Sequence, residues 1–255
     1  MKNENSSRIL FGIHRPAGVN SLKITIVLLP GMDGTGAFFD EFVSHLERDF
    51  QIVVVSYPLD LPLDYRDLTD FARNYLPQTG PFILLGESFS GPIAIALAAQ
   101  RQAGLIGLVL CCTFARNPRP FLGKFKNLLP VLPSFNRFSG FSAALLLGNF
   151  ATPQLRLKLR ETLKLVSEDA LKMRMRSVTE IDRSTDMKKI DVPVLLLQAT
   201  EDRVVPVSAS AYLASLLPFA QIVKIPGPHM LLQTRSSEVA IVIKEFVERL
   251  QDRAH

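Results

Sequence analysis

A serine, an imidazole and a carboxylate in this chain are spaced as nucleophilic acyl chemistry requires. Ser88 stands in Gly86-Glu87-Ser88-Phe89-Ser90-Gly91, where an apolar run through Ile83, Leu84 and Leu85 gives way to the Ala-rich stretch beginning at Ile93. That change of pattern puts Ser88 on the turn between a buried strand and a helix. A seryl hydroxyl is a poor nucleophile at neutral pH and needs a base, for which histidine is the suited side chain. Of the four histidines, His14 and His45 precede the turn and His255 is the last residue. His229 instead follows an apolar strand, in the stiff loop Pro226-Gly227-Pro228-His229-Met230. A surface-loop histidine is the bland alternative. The imidazole in turn needs an acid that holds it in one tautomer. Asp202, just past the strand Val192 to Gln198, is preferred to its neighbour Glu201 because the shorter side chain at the bend before Val204-Val205-Pro206 can turn back toward the next loop. Either carboxylate could also be a solvated loop residue or cap the helix after Pro206.

A strand-to-helix turn tight enough to push a hydroxyl above a sheet requires small residues on both sides of it. Gly86 and Ser90 meet that demand, Gly91 adds a further point of close approach, and Pro92 falls in the first helical turn, where its N–H is not missed. The tetrahedral intermediate of acyl transfer needs two aimed N–H donors. Phe89, the residue after the nucleophile, supplies one by position. Met32, in Pro30-Gly31-Met32-Asp33-Gly34-Thr35-Gly36, is the candidate for the second, with Gly31 letting the backbone approach substrate. A plain glycine-rich turn is the other reading of that loop.

These residues need elements that bring them to one rim. Apolar runs at Ile24 to Leu29, Ile52 to Val55, Phe82 to Leu85, Leu105 to Cys112 and Val192 to Leu197 alternate with helical patterns. They predict an α/β fold, a mostly parallel central sheet flanked by helices. A further strand is expected over Arg8 to His14, helices over Tyr65 to Leu76 and Pro206 to Leu217, and a strand over Gln221 to Ile225. Val239, Val242, Ile243, Phe246, Val247 and Leu250 line one face of a last helix. Phe38, Phe42 and Leu46 recur every four residues, so a helix, not an Asp33-Gly34 hairpin, is expected after the glycine-rich loop.

The alternation stops at Phe114 and resumes near Val192. A core domain of residues 1–113 and 190–255 with a helical cap over 114–189 is expected. Two crossover helices completing the main fold are the alternative, although an ordinary crossover is far shorter. In a cap, Phe121, Phe125, Phe138 and Leu145 would face the site as an acyl pocket while the charges face water. Packing of the cap onto the sheet is the other use for each apolar side chain.

Phe114 to Lys189 holds fifteen Lys and Arg against six Asp and Glu, so the basic character of the chain belongs to that segment. It reads as a solvated helical surface, a dock for an acidic acyl carrier, or a contact for an anionic membrane surface. No basic run interleaved with exposed aromatics speaks for nucleic acid. Adjacent Cys111 and Cys112 on an apolar strand suit reduced, buried thiols. Without a Cys/His cluster of ligand spacing, a phosphate loop or a dinucleotide-binding glycine pattern, no metal and no cofactor is expected. The first residues lack the apolar stretch of a signal peptide and no run reaches the length of a membrane span. A soluble, cytoplasmic protein without stable membrane insertion is expected.

From Leu29-Pro30-Gly31-Met32-Asp33-Gly34-Thr35-Gly36 through Gly86-Glu87-Ser88-Phe89-Ser90 to Asp202 and His229, the chain resembles the α/β-hydrolase superfamily over nearly its whole length. The two motifs resemble those of its esterase and acyltransferase-like members, and the chain order Ser, Asp, His is the superfamily's. Ser90 departs from the usual Gly but is also small. The resemblance implies Ser88 as nucleophile, His229 as base, Asp202 as acid, and an acyl-enzyme intermediate hydrolysed by water. It leaves the substrate open. The expected activity is a serine carboxylesterase acting on a small-molecule ester with a small to medium apolar acyl group. A thioesterase or acyl-carrier-linked ester hydrolase would use the same residues. An acyltransferase ranks below these, and a non-catalytic binding protein would lack one of the three side chains. Epoxide and haloalkane chemistry is disfavoured, because such members carry Asp where this chain has Ser88.

Overall fold

A computed structural model describes residues 23–120 and 139–252. Six strands, β1 (Thr25–Leu29), β2 (Gln51–Val54), β3 (Phe82–Glu87), β4 (Leu105–Cys111), β5 (Val194–Ala199) and β6 (Gln221–Ile225), pair in the order β2-β1-β3-β4-β5-β6. Every pairing is parallel. The central strands are apolar without alternation because both faces are covered. Successive side chains go to opposite layers: Val27, Leu84, Leu108 and Leu196 to one core, Ile26, Ile83, Val109 and Leu195 to the other.

The first layer is closed by α2 (Tyr65–Arg73) and α3 (Gly91–Ala98), helped by α7 (Ser184–Met187) and α8 (Val207–Ser215). The second is closed by α1 (Asp40–Ser44), α9 (Leu231–Thr234) and α10 (Ser236–Asp252). All of α3 is buried, as its all-round apolar composition demands. The helix expected from Phe38, Phe42 and Leu46 is broken into a 3-10 turn, Ala37–Phe39, and the short α1. That break rotates Phe38 away from the core that takes Phe42 and Leu46, into a cluster with Met230.

Between β4 and β5 the chain forms α4 (Ser139–Leu147), α5 (Pro153–Lys164), α6 (Glu168–Glu180) and α7. Thr152 and Ser167 start α5 and α6 by accepting from the N–H groups of Leu155 and Ala170. Leu147, Leu159 and Leu163 pack with Phe38 and Met230, and Val166, Ala170 and Leu171 pack with Met32 and Leu59. The two clusters therefore bear on the loops after β1 and β6. The strand expected over Arg8 to His14, and Phe121, Phe125 and Phe138, lie outside the described residues. Among the described residues no helix is long and apolar enough to cross a membrane.

Candidate active site

In an all-parallel sheet the carboxyl ends of the strands share one rim, and the loops after β1, β3, β5 and β6 meet there. At the end of β3, Ser88 has φ 49°, a left-handed conformation that costs a non-glycine residue about 1–3 kcal/mol. Close packing holds it there. A Cβ on Gly86 would come within 2.8 Å of Ala94 Cβ and 2.9 Å of the Ser90 carbonyl, and one on Gly91 would fall on the Thr113 side chain. Thr113 Oγ1 donates to the Ser88 carbonyl. Tyr65 at the start of α2 stacks on Phe89, ring centroids 4.7 Å apart, and its hydroxyl donates to the Phe89 carbonyl at 2.9 Å.

Ser88 Oγ lies 2.7 Å from His229 Nε2, and His229 Nδ1 lies 2.8 Å from Asp202 Oδ2. Asp202 Oδ1 accepts the N–H groups of Val204 and Val205, both at 2.8 Å. A carboxylate facing Nδ1 keeps the proton on that nitrogen and leaves the Nε2 lone pair for the Ser88 hydroxyl. The His229 and Asp202 side chains are 4% and 8% exposed, and the low local dielectric strengthens each link. Glu201, the neighbouring contender, is exposed, while its N–H donates to the Gly227 carbonyl at 2.9 Å and so ties the Asp202 loop to the His229 loop. His45 ends α1, and His14 and His255 lie outside the described residues.

In the loop after β1 every carbonyl from Pro30 to Gly34 is engaged. Ser90 Oγ donates to Pro30, the Gly34 N–H to Gly31 at 3.0 Å, and the Tyr57 N–H to Gly34 at 2.8 Å. Arg174 of α6 donates to Met32 at 2.9 Å and Asp33 at 2.8 Å. Because Ser90 gives its proton to Pro30, the Tyr57 hydroxyl 2.7 Å away donates to Ser90 Oγ. Burial pushes the Tyr57 phenol above its ordinary range, so it remains a neutral donor. The Gly31 N–H, in the loop expected to approach substrate, turns to the Glu87 carboxylate. A Cβ at Gly31 would meet only ordinary contacts, Asp33 at 3.6 Å and Glu87 at 3.9 Å. Protein packing alone therefore does not demand glycine there.

Glu87 is buried directly behind Ser88, with Gln233 Nε2 donating to it at 3.0 Å. Burial, with the Asp33 carboxylate adding to it, pushes the Glu87 carboxyl up from 4.5 to about 7, against the pull of Gln233, His229 and the Gly31 N–H. Glu87 and Gln233 escaped the sequence analysis, although a charge at the end of a strand as apolar as β3 was a visible anomaly. Arg174 had no such signal. Charges between Phe114 and Lys189 were expected to face water, and Arg174 instead turns inward, because the loop carbonyls offer a guanidinium fitted acceptors. Leu145 is half-buried on α4, beside Leu146, which packs into the cluster of Phe38 and Met230. Cys111 and Cys112 are buried free thiols. Among the described residues no three His, Cys, Asp or Glu side chains gather as metal ligands.

A model of the alpha/beta hydrolase family matches residues 26–241. The chain is 29% identical over 117 residues to phytyl ester synthase 1, chloroplastic, of Arabidopsis thaliana, a match covering 42% of this chain and 16% of that protein's length. Among solved structures, a bromoperoxidase from Bacillus anthracis superposes with TM-score 0.78 at 17% identity, over 89% of this chain and 92% of that one. A thermophilic esterase from Thermogutta terrifontis, malate bound, gives TM-score 0.76 at 21% identity, over 89% and 90%. At these identities the two superpositions establish the fold.

Proposed function

The chain belongs to the alpha/beta hydrolase family, and from that premise we propose that it is a serine hydrolase of carboxylic esters. Ser88 is the nucleophile, His229 the base and Asp202 the orienting acid. The observation that carries this reading is the unbroken line Ser88 Oγ, His229 Nε2, His229 Nδ1, Asp202 Oδ2, with both links under 3 Å and the far carboxylate oxygen held by two N–H groups.

Ser88 Oγ attacks the ester carbonyl as His229 Nε2 takes its proton, and the carbonyl electron pair moves onto oxygen. The N–H groups of Met32 and Phe89 receive that oxyanion. Asp202 stabilises the imidazolium without taking its proton. Collapse breaks the carbon–oxygen bond to the alcohol, which leaves with the proton from His229, and the acyl group stays on Ser88. A water molecule deprotonated by His229 then attacks the acyl carbonyl. The second collapse frees the acid and returns the proton to Ser88.

Apolar side chains beside both loops, Phe38, Leu147 and Met230 on one flank and Met32 and Leu171 on the other, support an apolar acyl group of small to medium size beneath a helical cap over 114–189. The test is a panel of p-nitrophenyl esters and acyl thioesters of graded chain length, run on the wild type and on Ser88→Ala. Turnover that Ser88→Ala abolishes is expected, with shorter chains preferred. Turnover that survives Ser88→Ala refutes the reading, and equal rates at all chain lengths refute the restricted pocket.

The name of the Arabidopsis relative, an ester synthase, favours a second reading in which an alcohol replaces water at the acyl-enzyme. Product analysis with an added long-chain alcohol separates the two, by new ester against free acid. The excess of Lys and Arg from Phe114 to Lys189 supports an acidic carrier as acyl donor. Its signature is a kcat/KM that falls with salt on carrier-bound but not on neutral substrates.

A further inference from the structure

Arg174 is 1% exposed on a segment whose other charges are mostly solvent-facing. Its guanidinium donates to three backbone carbonyls, Met32 at 2.9 Å, Asp33 at 2.8 Å and Pro58 at 2.8 Å, and lies 5.8 Å from the centre of the Tyr57 ring. Among the described residues it forms no ion pair. Burying an unpaired guanidinium is costly, and an apolar side chain would pack α6 onto the core more cheaply. What a guanidinium adds is a rigid fork that fixes several acceptors at once.

Those acceptors belong to the turn that carries Met32. The Gly34 N–H donates to the Gly31 carbonyl, making residues 31–34 a β-turn with Met32 and Asp33 at its centre. Asp33 is not among the residues with positive φ, so the turn is type I and not type II. The two types interconvert by a flip of the Met32–Asp33 peptide, and that carbonyl is one that Arg174 holds. The next peptide is fixed by the bond to Asp33. The preceding peptide, which bears the Met32 N–H, is fixed by the turn's own closure. Gly34 makes room for the fork: at φ 73° a Cβ there would stand 2.5 Å from Arg174 Nη1 and 2.9 Å from its central carbon.

We infer that Arg174 is a positioning residue for the proposed oxyanion donor: by holding the Met32 and Asp33 carbonyls it anchors the whole turn whose closure fixes the Met32 N–H beside Ser88. Docking of α6 and assembly of the donor pair are then one event. The inference rests on the esterase reading above, in which Met32 is a donor.

The experiment compares Arg174→Met, Arg174→Ala and Arg174→Lys with the wild type on a p-nitrophenyl ester. Each kcat is divided by the fraction of chains that a fluorophosphonate labels at Ser88 at completion, which removes any misfolded protein. For Met and Ala, kcat per labelled site is expected to fall ~10- to 100-fold, short of the ~10²–10³ for losing a donor outright. KM should stay within about twofold. Arg174→Lys, which keeps one donor group, should fall less, and it decides the matter alone if the other two do not fold. Millimolar guanidinium chloride, against sodium chloride of equal ionic strength, should restore part of the kcat of Arg174→Ala. A kcat per labelled site within about twofold of wild type, or a loss carried wholly by KM, overturns the inference. Wild-type turnover that does not depend on Ser88 removes the esterase reading and this inference with it. Ser88-dependent turnover indifferent to Arg174 removes the inference alone.

Discussion

Replacing Glu87 by Gln tests whether a buried acid behind Ser88 costs the fold stability near neutral pH. The carboxyl titrates near 4.5 in the unfolded chain and at about 7 in the native one. Below pH 4.5 both states carry the proton and burial removes no charge from water. As pH rises through the window to 7, the unfolded chain releases the proton first, so the native chain binds more protons and stability declines. At about 1.4 kcal/mol per unit, the displacement amounts to about 3 kcal/mol once both states are ionised. Glu87→Gln removes that loss while keeping shape. Its amide oxygen can accept the Gly31 N–H, and its amide nitrogen can donate to Gln233 Oε1, which has no partner among the described residues, once the Gln233 amide turns over. Urea unfolding of both proteins at intervals from pH 4.5 to 9 is the assay. The variant should gain on the wild type steadily across the window and level off above it, by up to about 3 kcal/mol. Asp33 and His229, the ionisable neighbours of this carboxyl, move the midpoint of that gain and not its sign. A stability difference that stays flat across the range, or shrinks as pH rises, refutes the reasoning.

Asp202→Asn keeps the two N–H bonds from Val204 and Val205 but turns the wrong group toward His229 Nδ1, and kcat should drop ~10³- to 10⁴-fold with the melting temperature little changed; retention of a tenth of the activity would contradict the role. Ser90→Ala strands the buried Pro30 carbonyl and Tyr57 hydroxyl and should cost about 1–3 kcal/mol in urea unfolding for each group left unpaired, whereas no measurable loss would mean the elbow and the β1 loop are not coupled there. Gly91→Ala drives a methyl onto Thr113, and a loss of about 1–3 kcal/mol together with lower activity is expected; a variant as stable as wild type would mean that α3 can move off β4.

The sheet was readable because strands buried on both faces leave continuous apolar runs, and β1, β3, β4 and β5 all do. The edge strand β6 was placed despite its half-exposed pattern because Pro226 ends it sharply. Ser88 could be set on its turn from Gly86, Gly91 and Pro92, since backbone crowding selects residue type within a few positions. Distance along the chain hid the rest. Tyr57, Thr113, Gln233 and Arg174 reach the site from four separate elements, and nothing near them in sequence distinguishes them from ordinary core or surface residues. Arg174 was misread for a physical reason. Charge in a basic segment normally signals water, and only the three-dimensional meeting of α6 with unpaired carbonyls reverses that preference.

The carbonyls held by Arg174 also constrain what protein engineering can exchange. A chimaera that grafts the stretch between β4 and β5 from another hydrolase onto this scaffold removes the donor to Met32 and Asp33. Unless the graft carries an arginine at the matching helical position, the recipient is left with stranded acceptors, each worth about 1–3 kcal/mol, and a loosened turn after β1. That stretch is exchangeable in this scaffold only together with the side chain that anchors it to the loop after β1.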